Sequence, residues 1–307
     1  MALHFDLSLE PHYGIAERLT SRIERLLAPN PGPFTFRGTG VYIVGAGERS
    51  VGESRSDQNE VAVIDPGPDL PEHNAALQAA LAGRKVSHIL ITHNHNDHSP
   101  AARPLQEWSG AKIYGYGPLA DKSDEGSSGE ESYDHQFRPD ILVSDGTVIA
   151  GEDFTIECVF TPGHTSNHMC YALAEEKALF TGDHVMGWST SVIAPPDGNM
   201  GDYMRSLQKL MARGDAVLYP THGSPVAEPG RLLRAYLTHR RMRETQIANC
   251  LARGDGMISA IVARLYADLK PALLPAAALT VRAHLEHMIE EDRVARQGEI
   301  YRIAKAP

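Results

Sequence analysis

The sequence predicts an α/β fold of two packed sheets with helices on their outer faces, followed by a small C-terminal helical module. Predicted strands and helices interleave twice along the chain, and each set ends in a loop that carries histidine or aspartate. From residue 231 onward the chain holds 13 Lys and Arg against 8 Asp and Glu, a net charge of +5, whereas the rest carries −15. We therefore predict two domains, at residues 1–228 and 229–307.

The first set of elements begins with a predicted helix. In "GIAERLTSRIERLLAPNPGPF", helical spacing relates Ile15, Leu19, Ile23 and Leu26, and the Pro- and Gly-rich segment would end the helix. "GVYIVGAG" and "EVAVIDPGPD" are predicted strands, and "PEHNAALQAALAG" is a predicted helix. "VSHILITH" is typical of a short strand buried on both faces, and "SPAARPLQEWSG" predicts the next helix.

The second set contains the strand-like segments "DGTVIAGEDFTIECVFTPGHT", "MCYALAEEKALFTGDHV" and "DAVLYPTHG", with the helical "DYMRSLQKLMARG" between the last two. Between the sets, the acidic, Ser- and Gly-rich residues 119–136 predict an exposed loop, which is either an inert insertion or an active-site lid. After residue 228, three predicted helices and a hairpin around Gln297 and Gly298 describe a winged-helix module.

Several classes of protein are disfavoured by composition. No run approaches the roughly 18 apolar residues of a membrane-spanning helix, and the N-terminus does not look like a secretory signal. The cysteines, Cys158, Cys170 and Cys250, are too far apart for a CxxC metal pair and fit buried thiols in a reducing compartment. We expect a cytoplasmic protein without a membrane partner, and a homodimer is compatible with the sequence.

The segment "ILITHNHNDHSP" brings four potential metal ligands together directly after a predicted strand. A strand's period of two places His93 and His95 on one side, and Asp97 and His98 follow where the chain turns towards a helix. Three further ligand-type residues follow other predicted strands, in "FTPGHT", "LFTGDHV" and "LYPTHG": His164, Asp183 and His222. Imidazole and carboxylate groups in such numbers favour Zn²⁺ or a similar divalent ion.

These motifs resemble the metallo-β-lactamase superfamily, in which HxHxDH is followed by a His, an Asp and a final His on successive loops. The resemblance covers roughly residues 31–226 and implies an αββα sandwich. It also implies two divalent metal ions, Zn²⁺ or alternatively Fe or Mn. The first ion would be held by His93, His95 and His164, the second by Asp97, His98 and His222, and Asp183 would bridge them.

Such a pair of cations implies hydrolysis. Two close cations lower the pKa of a shared water, so that hydroxide exists at neutral pH, and they polarise a carbonyl or phosphoryl oxygen of the substrate. Asp97 is the predicted catalytic residue, which would orient the water and take up a proton. Asp65 and Thr165 are candidates to support the ligands, although Asp65 could be only a turn cap. His168 and His184 are either surface or packing residues or pocket groups.

Further segments, among them "RLLAPNPGPFTFRGTGVYIVG" and "HRRMRETQI", look like the branch named β-lactamase-like protein 2. Its members carry a C-terminal winged-helix-like region and include single-strand endoribonucleases and thioesterases that act on carrier-bound polyketides. The resemblance therefore leaves the substrate open.

Three hypotheses follow. In the first, which the −15 charge outside the C-terminal module favours, the substrate is a small or carrier-bound thioester, ester or lactam. In the second, the enzyme cleaves RNA and Arg240, Arg241 and Arg243 follow its phosphate backbone, although aromatic residues for base stacking are missing there. In the third, the C-terminal module only binds or dimerises beside a vestigial site, which the complete ligand set disfavours.

Overall fold

The computed structural model describes residues 3–45, 59–117 and 132–304. Within these ranges the first large sheet has seven strands that lie side by side in chain order, and its last four strands are parallel. The strands are β1 Ala16–Arg18, β2 Ile23–Leu27, β3 Gly40–Val44, β4 Asn59–Ile64, β5 Arg84–Leu90, β6 Lys112–Gly115 and β7 Ile141–Leu142. Two helices follow β4 and β5: α1 Pro71–Leu81 and α2 Ala102–Ser109.

The second sheet has the order β12-β11-β10-β9-β8. Its strands are β8 Val148–Ala150, β9 Thr155–Phe160, β10 Met169–Leu173, β11 Ala178–Gly182 and β12 Val217–Pro220, with helix α3 Met200–Arg213 before the last. β9 and β11 are both antiparallel to β10, and β12 is parallel to β11. The ends of β9, β11 and β12 therefore lie at the same edge of the sheet.

The two sheets pack face to face with helices outside, which confirms the predicted sandwich. Alternate residues of β3 show the layering: Tyr42 and Val44 lie in the core between the sheets, whereas Val41 and Ile43 pack against α1 and α2. On the far side, α3 and the first half of the next helix cover the outer face of the second sheet. The strict alternation of a strand's side chains thus fills two cores at once.

The segment predicted as an N-terminal helix is instead a β-hairpin, so that prediction is wrong. β1 and β2 are antiparallel, and Thr20 Oγ1 accepts hydrogen bonds from the backbone N–H groups of Arg22 and Ile23 in the turn. All five residues of β2 are buried, Ile23 between the sheets and Leu26 beneath α1 and α2. Burial on both faces suits a central strand, whereas an amphipathic helix needs one side in solvent.

The C-terminal part contains helices α4 Pro229–Ala252, α5 Ile258–Leu265 and α6 Leu274–Glu290 and the hairpin of β13 Val294–Gln297 and β14 Ile300–Ile303. This is the predicted winged-helix arrangement. Helix α4 is shared: Leu233 and Tyr236 pack against α3 and the second sheet, whereas Ile247 and Leu251 belong to a separate core with α5, α6 and the hairpin. The boundary at residue 228 stays a prediction.

Residues 119–131 of the predicted acidic loop lie outside the described residues. No helix in the described ranges is long and apolar enough to cross a membrane.

Candidate metal centre

The seven predicted ligands meet at one edge of the sandwich, because each follows the end of a strand. Residues 93–98 come after β5, His164 after β9, Asp183 directly after β11 and His222 after β12. All seven side chains are buried or nearly so. The structure therefore brings together residues that are up to 129 positions apart, from His93 to His222.

One cluster consists of three imidazoles. His95 Nδ1 lies 2.9 Å from His93 Nε2 and 3.3 Å from His164 Nε2. The other ring nitrogen of His93 contacts Thr92 Oγ1 at 3.0 Å, and that of His164 contacts the carbonyl oxygen of Val192 at 2.7 Å. With their second nitrogens engaged in this way, His93 and His164 both present Nε2 to the shared space, as ligands of a single cation must.

A second cluster lies next to the first. His222 Nε2 lies 3.0 Å from Asp97 Oδ2, and His98 Nε2 lies 3.4 Å from the same oxygen. The far nitrogen of His222 contacts the carbonyl oxygen of Gly38 at 3.2 Å. In each cluster the potential ligand atoms all lie within 4.8 Å of one another, which is the spacing expected around one ion.

Asp183 stands between the clusters. Its Oδ1 is 3.4 Å from His222 Nε2 and 3.5 Å from His98 Nε2, whereas its Oδ2 is 3.9 Å from His164 Nε2. The two carboxylate oxygens therefore face different clusters, as the predicted bridging role requires.

Asp65 supports ligands of both clusters. It follows β4 with a φ of +46°, a left-handed conformation that Asp tolerates better than most residues. Its carboxylate accepts hydrogen bonds from the backbone N–H and the hydroxyl of Thr92, at 2.8 and 2.7 Å, and from His98 Nδ1 at 2.8 Å. Because Thr92 donates its hydroxyl proton to Asp65, it must accept from His93 Nδ1–H. Both histidines are thereby held with an unprotonated Nε2 whenever they are neutral.

The electrostatics of the first cluster suit a cation. Burial, followed by the neighbouring histidines, holds the pKa of His93 well below its ordinary value. Burial also lowers the pKa of His95 to about 3 and depresses the pKa of His164. These imidazoles are therefore neutral at physiological pH, which is the form that binds metal.

In the second cluster the neighbouring carboxylates raise the pKa values of both histidines. Burial opposes protonation of His98 and His222, but Asp97 and Asp183 outweigh it, raising the pKa of His98 well above the ordinary range and that of His222 to about 10. His98 Nε2 and Asp183 Oδ1 are buried and have no hydrogen-bond partner among the described residues. Two carboxylates facing two imidazoles are a donor set that divalent cations fit, since a bound cation would displace protons from the imidazoles and would give the orphaned atoms a partner.

The three remaining candidates, Thr165, His168 and His184, are buried near the centre. Thr165 Oγ1 bonds to Asn167 at 2.9 Å rather than to a predicted ligand. His168 and His184 are fully buried, so they are packing residues and not surface ones. His168 contacts Thr161 Oγ1 at 2.9 Å, and the ring of His184 packs on that of Tyr203 with 4.6 Å between centroids.

A cavity of about 250 Å³ reaches the centre. Four of the clustered side chains line it: Asp97, His164, Asp183 and His222. The rest of its wall comes from residues 33–34, from the loop 186–192 after β11 and from the C-terminal helices, with mainly apolar side chains such as Trp188, Leu269, Leu273, Ala276 and Ala277. The C-terminal module is thus part of the pocket.

The arginine cluster that suggested an RNA-binding surface is split by the fold. Arg240 is only 2 % exposed, donates a hydrogen bond to the carbonyl oxygen of Ser191 and lies over the ring of Tyr203. Arg243 stacks on Tyr266, 4.3 Å from the ring centroid, and also lines the cavity, whereas Arg241 is exposed elsewhere. Helical spacing could have separated them, because residues three apart share a helix face and adjacent residues do not.

Comparison with known proteins agrees with the two-part architecture. A family model described as "Metallo-beta-lactamase superfamily" matches residues 53–222, and one described as "Beta-lactamase associated winged helix domain" matches residues 258–302. Among solved structures, the chain is similar to a β-lactamase domain protein from Burkholderia ambifaria. The TM-score is 0.79 at 18% identity, over 99% of this chain and 97% of that one.

Curated relatives extend the comparison. A protein of Caenorhabditis elegans named "Beta-lactamase-like protein 2 homolog" is 31% identical over 286 residues, 91% of this chain and 88% of its own length. An "Atrochrysone carboxyl ACP thioesterase" of Claviceps purpurea is 32% identical over 79% of this chain and 69% of its length. "Lactamase-like protein nscB" of Aspergillus fumigatus is 35% identical over 76% of this chain, but the match spans only 63% of that longer protein.

Proposed function

The chain belongs to the metallo-beta-lactamase superfamily and is a hydrolase, and we propose that it cleaves acyl thioesters or related carbonyl substrates with two divalent metal ions. The observation that carries the proposal is the cavity that joins the His and Asp clusters to a largely apolar wall. Such a pocket gives an acyl group an apolar surface beside the reacting bond.

The proposed ligands follow the two clusters. His93, His95 and His164 would hold one ion, Asp97, His98 and His222 the other, with Asp183 shared. Zn²⁺ is the proposed ion because neutral imidazole and carboxylate suit it, with Fe and Mn as alternatives. When bound, the ions would supply Lewis-acid activation of water and of the substrate carbonyl.

Asp97 is the proposed catalytic residue. Its carboxylate lines the cavity and lies 3.0 Å from His222 Nε2, while Thr39 Oγ1 contacts it at 3.4 Å. Burial raises its pKa, but His98 and His222 outweigh burial and keep the carboxyl group ionised. An ionised carboxylate at the cavity wall can orient a water molecule and accept its proton.

The substrate proposal draws support from the thioesterase name of the Claviceps purpurea relative, which concerns a carrier-protein substrate. We propose an acyl thioester, free or carrier-bound, as the substrate class. RNA is the alternative; the burial of Arg240 removes one of the three arginines that would have followed a phosphate backbone. The free and buried Cys158, Cys170 and Cys250 support a reducing, cytoplasmic location, and a homodimer stays a prediction.

The test is metal-dependent turnover of an acyl thioester and of a fluorescent single-stranded RNA, measured side by side. Metal content is determined by mass spectrometry before and after chelation. We expect thioester hydrolysis that chelation abolishes and that Asp97→Asn reduces about 10²- to 10⁴-fold, as for loss of a general base. Asp153→Asn, which alters an exposed carboxylate in the turn between β8 and β9, should leave turnover unchanged.

Either of two results would refute the proposal. RNA cleavage that disappears in Asp97→Asn, with no thioester turnover, would make the protein a ribonuclease. A fully loaded protein that turns over thioesters equally well with Asn at position 97 would remove Asp97 from the mechanism.

A further inference from the structure

Two arginines face the cavity without an acidic partner. Arg240 and Arg243 both line it, and none of the ion pairs among the described residues includes either of them. The Nε atoms of both are buried and lack a hydrogen-bond partner within the same ranges. An unpaired guanidinium is unfavourable away from water, so such a pair in a largely apolar cavity needs an explanation.

The other titratable groups of α4 and α6 do not neutralise these charges. Burial, followed by Arg240 and Arg243, lowers the pKa of His239 to about 4, and burial lowers that of His284 to about 4, so both rings are uncharged. The nearby carboxylate, Glu244, is already bound: it accepts from His287 Nδ1 at 2.8 Å and pairs with Arg293 at 2.6 Å. The two carboxylates that line the cavity, Asp97 and Asp183, face His222 in the metal centre, and no ion pair among the described residues joins them to either arginine. The positive charge on this wall is therefore left for a ligand.

The two arginines differ in how they are held. Arg240 is held by Ser191 and by the ring of Tyr203, so it is a fixed charge in the cavity wall. Arg243 is partly exposed and rests on the face of Tyr266, which leaves its guanidinium edge free for a planar or tetrahedral anion. Leu269 and Leu273 line the same cavity, and an apolar surrounding strengthens a charged contact.

We propose that Arg243, with Arg240 behind it, binds an anionic group of the substrate at the end of the cavity formed by the C-terminal module. The inference rests on the proposed hydrolysis and narrows its substrate class to acyl thioesters that carry a negative charge away from the reacting bond. The charge is either a carboxylate on the acyl chain or a phosphate on the arm of the thiol carrier.

The experiment measures how fast the metal-loaded full chain hydrolyses each of three thioesters. One is the neutral hexanoyl thioester of N-acetylcysteamine, the second is the adipoyl monothioester of the same thiol, and the third is the hexanoyl thioester of phosphopantetheine. We expect the wild type to prefer one charged probe by about 10- to 100-fold in kcat/KM. Arg243→Gln should remove that preference by slowing the preferred charged probe far more than the neutral one, and Arg243→Lys should retain part of it.

Arg241→Gln is the matched control, since it removes the same charge from the adjacent, exposed position of α4. It should leave all three rates unchanged. The charged probe that wild type prefers identifies the source of the anion. Equal rates on all three probes, or an equal loss on all three in Arg243→Gln, would overturn the proposal.

A binding measurement separates failure of this inference from failure of the proposed hydrolysis. Amide analogues of the three probes are titrated calorimetrically into the same protein. If no thioester is cleaved but a charged analogue binds wild type about tenfold better than Arg243→Gln, hydrolysis of thioesters is refuted and the anion subsite stands. If the charged and neutral analogues bind equally, the subsite is refuted whatever the turnover.

Discussion

Substitution of Asp65 by Asn tests whether one buried carboxylate prepares ligands of both clusters. The two side chains have the same shape, but Asn carries an NH₂ group that can only donate where the carboxylate accepts. The Asp65 carboxylate accepts from His98 Nδ1 at 2.8 Å and from Thr92 Oγ1 at 2.7 Å. Both of these contacts end on Oδ2, while Oδ1 accepts from the backbone N–H of Thr92. An amide has only one oxygen, so Asn must turn its NH₂ group either towards that N–H or towards His98 and the Thr92 hydroxyl, and in the second case His98 would favour the tautomer that protonates its Nε2.

The expected loss of metal affinity follows from the two hydrogen bonds to Asp65. Loss of a hydrogen-bond partner behind a metal ligand typically weakens metal affinity 10- to 100-fold, or about 1.4 to 2.7 kcal/mol. His98 contacts Asp65 directly, whereas His93 is linked to it through Thr92. We therefore expect the larger loss for the ion of the second cluster and a smaller one for the ion of the first.

The assay is titration of the metal-free protein with Zn²⁺ in competition with a chromogenic chelator, which gives the two affinities separately. Asp134→Asn is the control, because that carboxylate accepts from Ser99 in the same region of the fold. Unchanged affinities in Asp65→Asn would refute the reasoning, and so would equal losses in the two variants.

Three further predictions concern the frame around the centre. Arg240→Met removes the hydrogen bond to Ser191 and should weaken metal binding, because residue 192 supports a ligand of the first cluster; unchanged affinity by the same titration would contradict this. Gly163→Ala places a Cβ 2.3 Å from the backbone of α3, at a φ of +138°. We therefore expect the free energy of unfolding in urea to fall by about 2 kcal/mol or more. The control is Gly83→Ala, whose Cβ would have nothing within 4 Å. Burial lowers the pKa of His284 to about 4, so its neutral form contributes stability that is present above pH 6.5 and lost as the pH falls towards 4. His284→Leu should therefore reduce the change in unfolding free energy between pH 6.5 and pH 4 by up to about 3 kcal/mol. An unaltered dependence on pH would show that another group is responsible.

The sequence predicts the seven candidate ligands because the patterns that mark them lie within short segments of the chain. Each ligand follows a strand and a tight turn, and a period of two within "THNHNDH" already places His93 and His95 together. The resemblance of these motifs to the metallo-β-lactamase superfamily then implied which strand ends would meet. The roles of the seven side chains as ligands stay a proposal, but their convergence is a property of the fold.

The wrong prediction has a specific origin. The spacing of Ile15, Leu19, Ile23 and Leu26 fits a helix, yet β2 is buried on both faces and pairs with β3. The spacing of apolar residues carries no information about which strand lies beside a segment in the fold. Pairing with a neighbouring strand can therefore override a weak helical pattern. The alternative that His168 and His184 lie on the surface is wrong for the same reason. Only packing decides which side of a loop is buried.

The sequence by itself determined the order of the strands and helices after the N-terminal hairpin and the donor atoms at the strand ends, since both depend on residues close together in the chain. Only the tertiary structure decided that the C-terminal helices line the cavity, that Arg240 and Arg243 face it while Arg241 does not, and that Asp65 supports two clusters. These contacts join residues that are far apart in sequence. They form when apolar faces pack to exclude water, and that packing fixes which polar groups are left to meet at the centre.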